Sequence, residues 1–238
     1  MKFFSAIADL LMPRICLCCG AELEPGEEHL CAKCMADLPL TRFWKLRESP
    51  MAGEFNALIQ KNMGEDVCYQ PYGYGAALFF YKGGYKEITK ALKYKRNFKA
   101  GRYFARMLGE RLKESEFFRN IDLVVPVPLH WTRRWSRGYN QAGIIAKEVA
   151  RELGSPCKPR FLKRARRTRT QTHLGAEGRS RNVEGAFKLS SLIQEAGHIL
   201  LIDDVFTTGA TAAACERALR TAFPKARISV ATLACVEH

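Results

Sequence analysis

Short blocks of consecutive apolar residues alternate along this chain with stretches whose apolar positions recur every three or four residues. The blocks at 74–81, 123–127, 198–203 and 227–235 read as strands, and 186–189 as a shorter one. Between them, 85–95 and 100–114 read as basic amphipathic helices broken around Asn97. Residues 139–153 read as a helix with Ile144, Ile145, Val149 and Leu153 at helical spacing and Gly154 as its stop. Residues 210–221 form an Ala-rich helical stretch. Strands alternating with helices predict an α/β fold: a mainly parallel sheet with helices on both faces and ligands beyond the carboxyl ends of the strands. The polar stretch 164–182 has no apolar period and reads as an exposed loop. Residues 46–72, with Pro50, Gly53, Gly64 and Pro71, read as a linker. The expected organisation is therefore a small module over 1–45, a connecting segment over 46–72 and an α/β domain over 73–238.

Composition narrows the class. At 238 residues, 47% hydrophobic and 26% charged, the chain can bury a proper core. No apolar run reaches the roughly 18 residues of a membrane span. Residues 1–12 look superficially like a signal peptide, but Asp9 interrupts them and a Cys cluster follows at once; they read as a short amphipathic helix leading into Pro13. Cys68, Cys157, Cys215 and Cys235 are scattered singly and read as buried, reduced thiols, which points to the cytoplasm.

The net charge of +14 is high for an ordinary metabolic enzyme, and it is unevenly placed. One cluster includes Lys93, Lys95, Arg96 and Lys99; another includes Arg164, Arg166 and Arg167. Tyr94, Phe98, Tyr103, Trp131, Trp135 and Tyr139 lie among these charges. Cationic surface attracts polyanions by counterion release, and interleaved aromatics stack unpaired bases, so these residues are candidates for binding single-stranded DNA.

Two motifs carry candidate chemistry. Near the N-terminus, Cys16-x2-Cys19 and Cys31-x2-Cys34 can supply four thiolates to one tetrahedral Zn²⁺. Four thiolates leave no open position, so such a site is structural; Cys18 and His29 are spare ligands in the same region, and a pair of disulfides is the alternative use. The second motif is the apolar run from Ile199 that ends in Asp203-Asp204 and continues Val205-Phe206-Thr207-Thr208-Gly209-Ala210-Thr211. Backbone N–H groups, hydroxyls and a helix start around one point suit a phosphate. The two carboxylates would repel that phosphate and must face donors, such as vicinal sugar hydroxyls or a hydrated metal. A ribose 5-phosphate satisfies both halves. Pro126-Val127-Pro128, followed by Arg137-Gly138-Tyr139-Asn140-Gln141-Ala142, adds an anion site suited to a diphosphate.

The Asp203-to-Thr211 run resembles the phosphoribosyl-diphosphate (PRPP) motif of type I phosphoribosyltransferases. The resemblance implies that Asp203 and Asp204 hold the ribose hydroxyls. It implies that Val205 and Thr207 to Thr211 surround the 5-phosphate, and that Pro126, Val127, Pro128 and Arg137 lie by a Mg²⁺-bound diphosphate. Together with the four-Cys module and the Arg164…Thr170-Gln171…Arg179-x2-Asn182 segment, the whole chain resembles the ComF family of phosphoribosyltransferase-like proteins. That resemblance implies a zinc ribbon attached to a type I phosphoribosyltransferase fold. It also implies a role in DNA uptake during natural transformation, alongside DNA-uptake and recombination proteins. If turnover occurs, Asp203 and Asp204 serve the ribose, and Arg169, Gln171, Arg179 and Arg181 lie on a lid that excludes water. The alternative is a metabolic phosphoribosyltransferase acting on an unknown nitrogenous acceptor.

Overall fold

The computed structural model describes residues 14–63, 71–129, 138–164, 187–189 and 195–237. The readings for 1–12, Arg137, Arg166, Arg167, Arg169, Gln171, Arg179 and Arg181 lie outside these residues.

Four parallel strands form the sheet: β1 (Gly75–Phe80), β2 (Leu123–Pro126), β5 (His198–Phe206) and β6 (Arg227–Cys235), in the order β1-β6-β5-β2. Their apolar side chains are buried along nearly their whole length, as helices on both faces require. A separate two-stranded antiparallel ribbon joins β3 (Leu162–Arg164) to β4 (Phe187–Leu189). Within the stretch read as a featureless loop, Arg164 thus belongs to a strand. Its short polar sequence carries no alternation strong enough to announce one.

The helices are α1 (Ala32–Ala36), α2 (Pro50–Met63), α3 (Lys86–Tyr94), α4 (Phe98–Lys113), α5 (Gln141–Leu153) and α6 (Ala210–Ala222). The break between α3 and α4 falls at Asn97, whose side chain caps α4 by accepting from the Ala100 N–H at 3.0 Å. Helices α4 and α5 pack on each other, and α2 packs on α6.

The segment read as a linker is the clearest correction. Helix α2 occupies 50–63 and buries Met51, Ala52, Phe55 and Ile59 against β1, β6 and α6. Pro50 is the first helical residue, where its missing N–H costs nothing. Ser49 caps the helix, accepting from the Ala52 N–H at 3.1 Å and donating to the Gly75 carbonyl at 2.6 Å. Pro and Gly punctuate a helix start here, whereas the pattern alone read them as breakers.

Topology explains where a site can form. Beyond β2, Cys157 makes a parallel bridge to Val124, with Val124 N–H to the Pro156 carbonyl at 2.9 Å and Lys158 N–H to the Val124 carbonyl at 3.0 Å. The chain therefore leaves β2 through α5 toward one edge of the sheet. It leaves β5 through α6 toward the other, to reach β6. The connections diverge between β2 and β5, and the crevice at such a switch point, beyond the strand ends, is where ligands bind in open α/β sheets.

The N-terminal module covers the remaining edge. Leu40 makes an antiparallel bridge to Phe79, the Thr41 N–H donates to the Leu78 carbonyl at 3.2 Å, and the Phe80 N–H donates to the Pro39 carbonyl at 2.8 Å. Phe43 stacks edge-on against Phe80, 5.7 Å between ring centroids, and Trp44 is buried behind it.

Candidate ligand site and four-cysteine centre

Strand β5 runs three residues further than the apolar block suggested, so Asp203 and Asp204 lie within it; Asp203 pairs in register with Thr232 of β6. Adjacent strand residues point to opposite faces, and both carboxylates nevertheless border one cavity of about 180 Å³ at the switch point. Val127, Pro128 and Leu129 from the loop after β2, Asn140 and Gln141 from the start of α5, and Thr211 complete its wall with Lys93, Tyr94 and Arg164. Pro126 ends β2, paired with Ile202, and does not border the cavity; the turn presents Val127 and Pro128 instead.

The electrostatics of the pair are unequal. Asp204 is 5% exposed, and its Oδ1 lies 3.1 Å from the Lys93 ammonium. Its Oδ2 is buried with no hydrogen-bond partner among the described residues. Asp203 Oδ1 accepts from the Asp204 backbone N–H at 2.8 Å. Burial, and then the adjacent Asp204 charge, push the Asp203 carboxyl well above the usual carboxylate range; the Asp204 N–H and Lys93 oppose this only in part. A buried carboxylate oxygen without a donor is costly unless a ligand supplies one.

Alongside lies a dent of about 40 Å³ lined by Val205, Thr207, Thr208, Gly209, Ala210 and Thr211. Gly209 has φ +67, and a Cβ there would meet the Phe206 ring at 2.7 Å and Leu58 at 2.9 Å. Both backbone conformation and space therefore demand glycine. The loop turns sharply into α6 and leaves amides and hydroxyls around the dent.

Lys93 is displaced from its expected role. It was grouped with the basic surface, but its side chain is 21% exposed and turned into the carboxylate site. The structure gives the reason: Thr89, one helical turn earlier, is fully buried, so Lys93 shares the inward face of α3. The helix is held there by Tyr139, whose hydroxyl donates to the Leu92 carbonyl and to that of Lys93. Asn140, quoted in the sequence only as part of the Arg137–Ala142 run, joins the two loops: its amide donates to the Val127 carbonyl at 3.1 Å. Lys95, Arg96 and Lys99 are exposed, next to a Tyr94 that is 71% exposed. Arg164 stacks over Phe187 at 5.5 Å and borders both the 180 Å³ cavity and a neighbouring cleft of about 470 Å³.

At the other end of the chain, the sulfur atoms of Cys16, Cys19, Cys31 and Cys34 all lie within 4.8 Å of one another. Gly20 turns the first knuckle with φ +75, and its N–H donates to the Cys16 carbonyl at 3.0 Å. Ile15 bridges Glu22 across the hairpin, and Cys31 precedes α1, which delivers Cys34. Of the two spare candidates, Cys18 stays at the cluster: its thiol meets that of Cys34, and its sulfur also packs against Gly84, where a Cβ would lie 2.8 Å from it. His29 stacks edge-on against Tyr103 at 5.2 Å. Four sulfurs in this arrangement can hold a tetrahedral metal ion. The module is tied to the sheet domain by the Tyr85 hydroxyl, which donates to the Cys34 carbonyl at 3.1 Å.

No protein-family model matches the chain. Individual proteins do. The chain is 27% identical over 217 residues to competence protein F of Haemophilus influenzae, covering 86% of this chain and 90% of that protein. It is 26% identical over 216 residues to competence protein ComFC of Streptococcus pneumoniae, covering 89% and 86% respectively. DNA utilization protein YhgH of Salmonella typhimurium is 35% identical over 129 residues, which span 53% of this chain and 56% of that relative. Two of these matches run nearly the full length of both partners, which supports the resemblance of this chain to the ComF family.

Proposed function

We propose that this chain is a zinc-stabilised, PRPP-binding protein that serves DNA utilization by acting with single-stranded DNA. The observation that carries the PRPP reading is the buried, partnerless Oδ2 of Asp204 beside a phosphate-sized dent. Vicinal ribose hydroxyls supply donors to Asp203 and Asp204, while Thr207, Thr208 and Thr211 and the loop amides take the 5-phosphate. Val127 and Pro128 flank the diphosphate, and Mg²⁺ arriving with PRPP supplies charge neutralisation there. Lys93 pairs with Asp204 and is the cation nearest the ribose. The DNA reading rests on the relatives named for competence and DNA utilization, and on exposed Lys95, Arg96 and Lys99 around Tyr94. A metabolic transferase acting on a nitrogenous acceptor uses the same ribose-phosphate residues and has no need of that basic face.

Calorimetric titration of the zinc-loaded protein with PRPP, with and without Mg²⁺, tests the first half. Saturable binding is expected, with loss of at least tenfold in affinity in the Asp203→Asn/Asp204→Asn variant; equal affinity of variant and parent overturns it. For the second half, affinity for a single-stranded oligonucleotide should fall steeply with salt, and Lys95→Ala/Arg96→Ala/Lys99→Ala should flatten that slope. A salt-independent interaction, or none, leaves the metabolic reading.

A further inference from the structure

A second cleft lies at the opposite end of the sheet, where the strands begin. It holds about 290 Å³ between the starts of β1 and β6 and the first turns of α2. Arg227, the first residue of β6, reaches into it with its guanidinium 4.6 Å above the Tyr74 ring. Its Nη1 donates to the Tyr74 hydroxyl at 2.7 Å. Its Nε is buried without an acceptor, and no carboxylate pairs with it among the described residues. A half-buried guanidinium held in one orientation, with a donor unspent and no counter-charge, is set for an anion. Arg47 stands exposed on the rim, and Glu48 beside it pairs with neither arginine.

The rest of the wall suits a flat, weakly polar body. Tyr72, 49% exposed, lies at the mouth. Gly53 sits inside α2, where it lowers helix stability, and the space its Cβ would fill is open to the cleft. The Asn56 amide adds nothing polar, because it donates to the Ala52 and Gly73 carbonyls and accepts from the Gly73 N–H. His198, behind Tyr74, is kept neutral: burial and then the Arg227 charge push it down to about 4.

From Arg227, Arg47, Tyr72 and the open flank of Gly53, we propose that this cleft is a second binding site for a small organic phosphate with a planar aromatic body, of the size of a nucleoside monophosphate. Its volume falls at the small end of the roughly 300–1,000 Å³ typical of ligand pockets, which excludes a dinucleotide. The site is separate from the one proposed for PRPP. His198 and Asp203 are five residues apart on one strand, about 16 Å at the usual rise.

Adenosine 5′-monophosphate serves as the probe, titrated into the full-length, zinc-loaded protein. Because it can also enter the threonine loop, the titration is run in a Thr208→Glu background, where a carboxylate at an exposed position repels phosphate from that loop. One saturable site is expected to persist there, and to weaken at least tenfold on adding Arg227→Gln or, independently, Gly53→Phe. Adenosine and inorganic phosphate should each bind at least tenfold more weakly than the monophosphate. Gly53→Phe fills open space, so its melting temperature, compared with the parent, separates a blocked cleft from a damaged fold. Loss of all binding in Thr208→Glu, or binding indifferent to both cleft variants, overturns the proposal and leaves the PRPP reading standing. Loss of PRPP binding alone in Thr208→Glu leaves the cleft standing.

Discussion

The four-cysteine centre and the Asp203–Thr211 site solve opposite problems. Around the cysteines, four like donors converge on a single point; His29 is turned into a packing contact, and Cys18 lies beside the set with its thiol against that of Cys34. Around the aspartates, unlike groups converge and stay incompletely satisfied: one carboxylate oxygen lacks a partner among the described residues, and the other acid is held above its ordinary range. A closed set of ligands stabilises its own geometry. An open set costs stability, which only a bound molecule returns.

That contrast can be broken most forcefully at the cysteines. Chelating the metal, or Cys34→Ser, should cost several kcal/mol and lower the melting temperature by about 10 °C or more, since structural zinc contributes folding free energy outright. Differential scanning calorimetry before and after chelation measures this; an unchanged transition would mean the cysteines hold nothing. Gly209→Val comes next. Positive φ and contact with Phe206 and Leu58 should together cost about 2–4 kcal/mol, read by urea unfolding, because even the open site is built on one rigid turn. The smallest and most discriminating change is Asp203→Asn. The folded-state value of Asp203 is raised, so its favourable contribution is complete below the unfolded value near 4 and is lost as pH rises through the higher folded value. The variant should therefore be more stable than the parent at neutral pH, by about 1 kcal/mol, and the gap should close toward pH 4. Parallel thermal melts across that range decide it, and a variant less stable at pH 7 would show that Asp203 is no open acid.

Strong local chemistry was legible in the sequence, and tertiary placement was not. The cysteine spacing announced a four-sulfur cluster, and the Asp-Asp-Val-Phe-Thr-Thr-Gly-Ala-Thr run a strand, loop and helix around one dent, because each is contiguous or nearly so. Helix α2 was hidden because Pro50 and Gly53 look like breakers until Ser49 is seen to cap the turn. Lys93 looked like surface because charge says nothing of direction; only the burial of Thr89 one turn away turns it inward. Asn140 joins two loops through a carbonyl 13 positions back, a contact no local pattern encodes. The end of β5 was drawn too early because carboxylates look like the end of a strand. Here the strand continues through both of them, and Asp203 pairs with Thr232 of β6.

The pairing of residues 39–41 with β1 has a consequence for solubility. Strand β1, Gly-Ala-Ala-Leu-Phe-Phe, carries no charge and, without that segment, would present bare amides and carbonyls along an apolar edge. Such edges template intermolecular sheet growth. The cysteine module thus works as a guard rail against self-association, and metal starvation would turn a folding defect into a precipitating one.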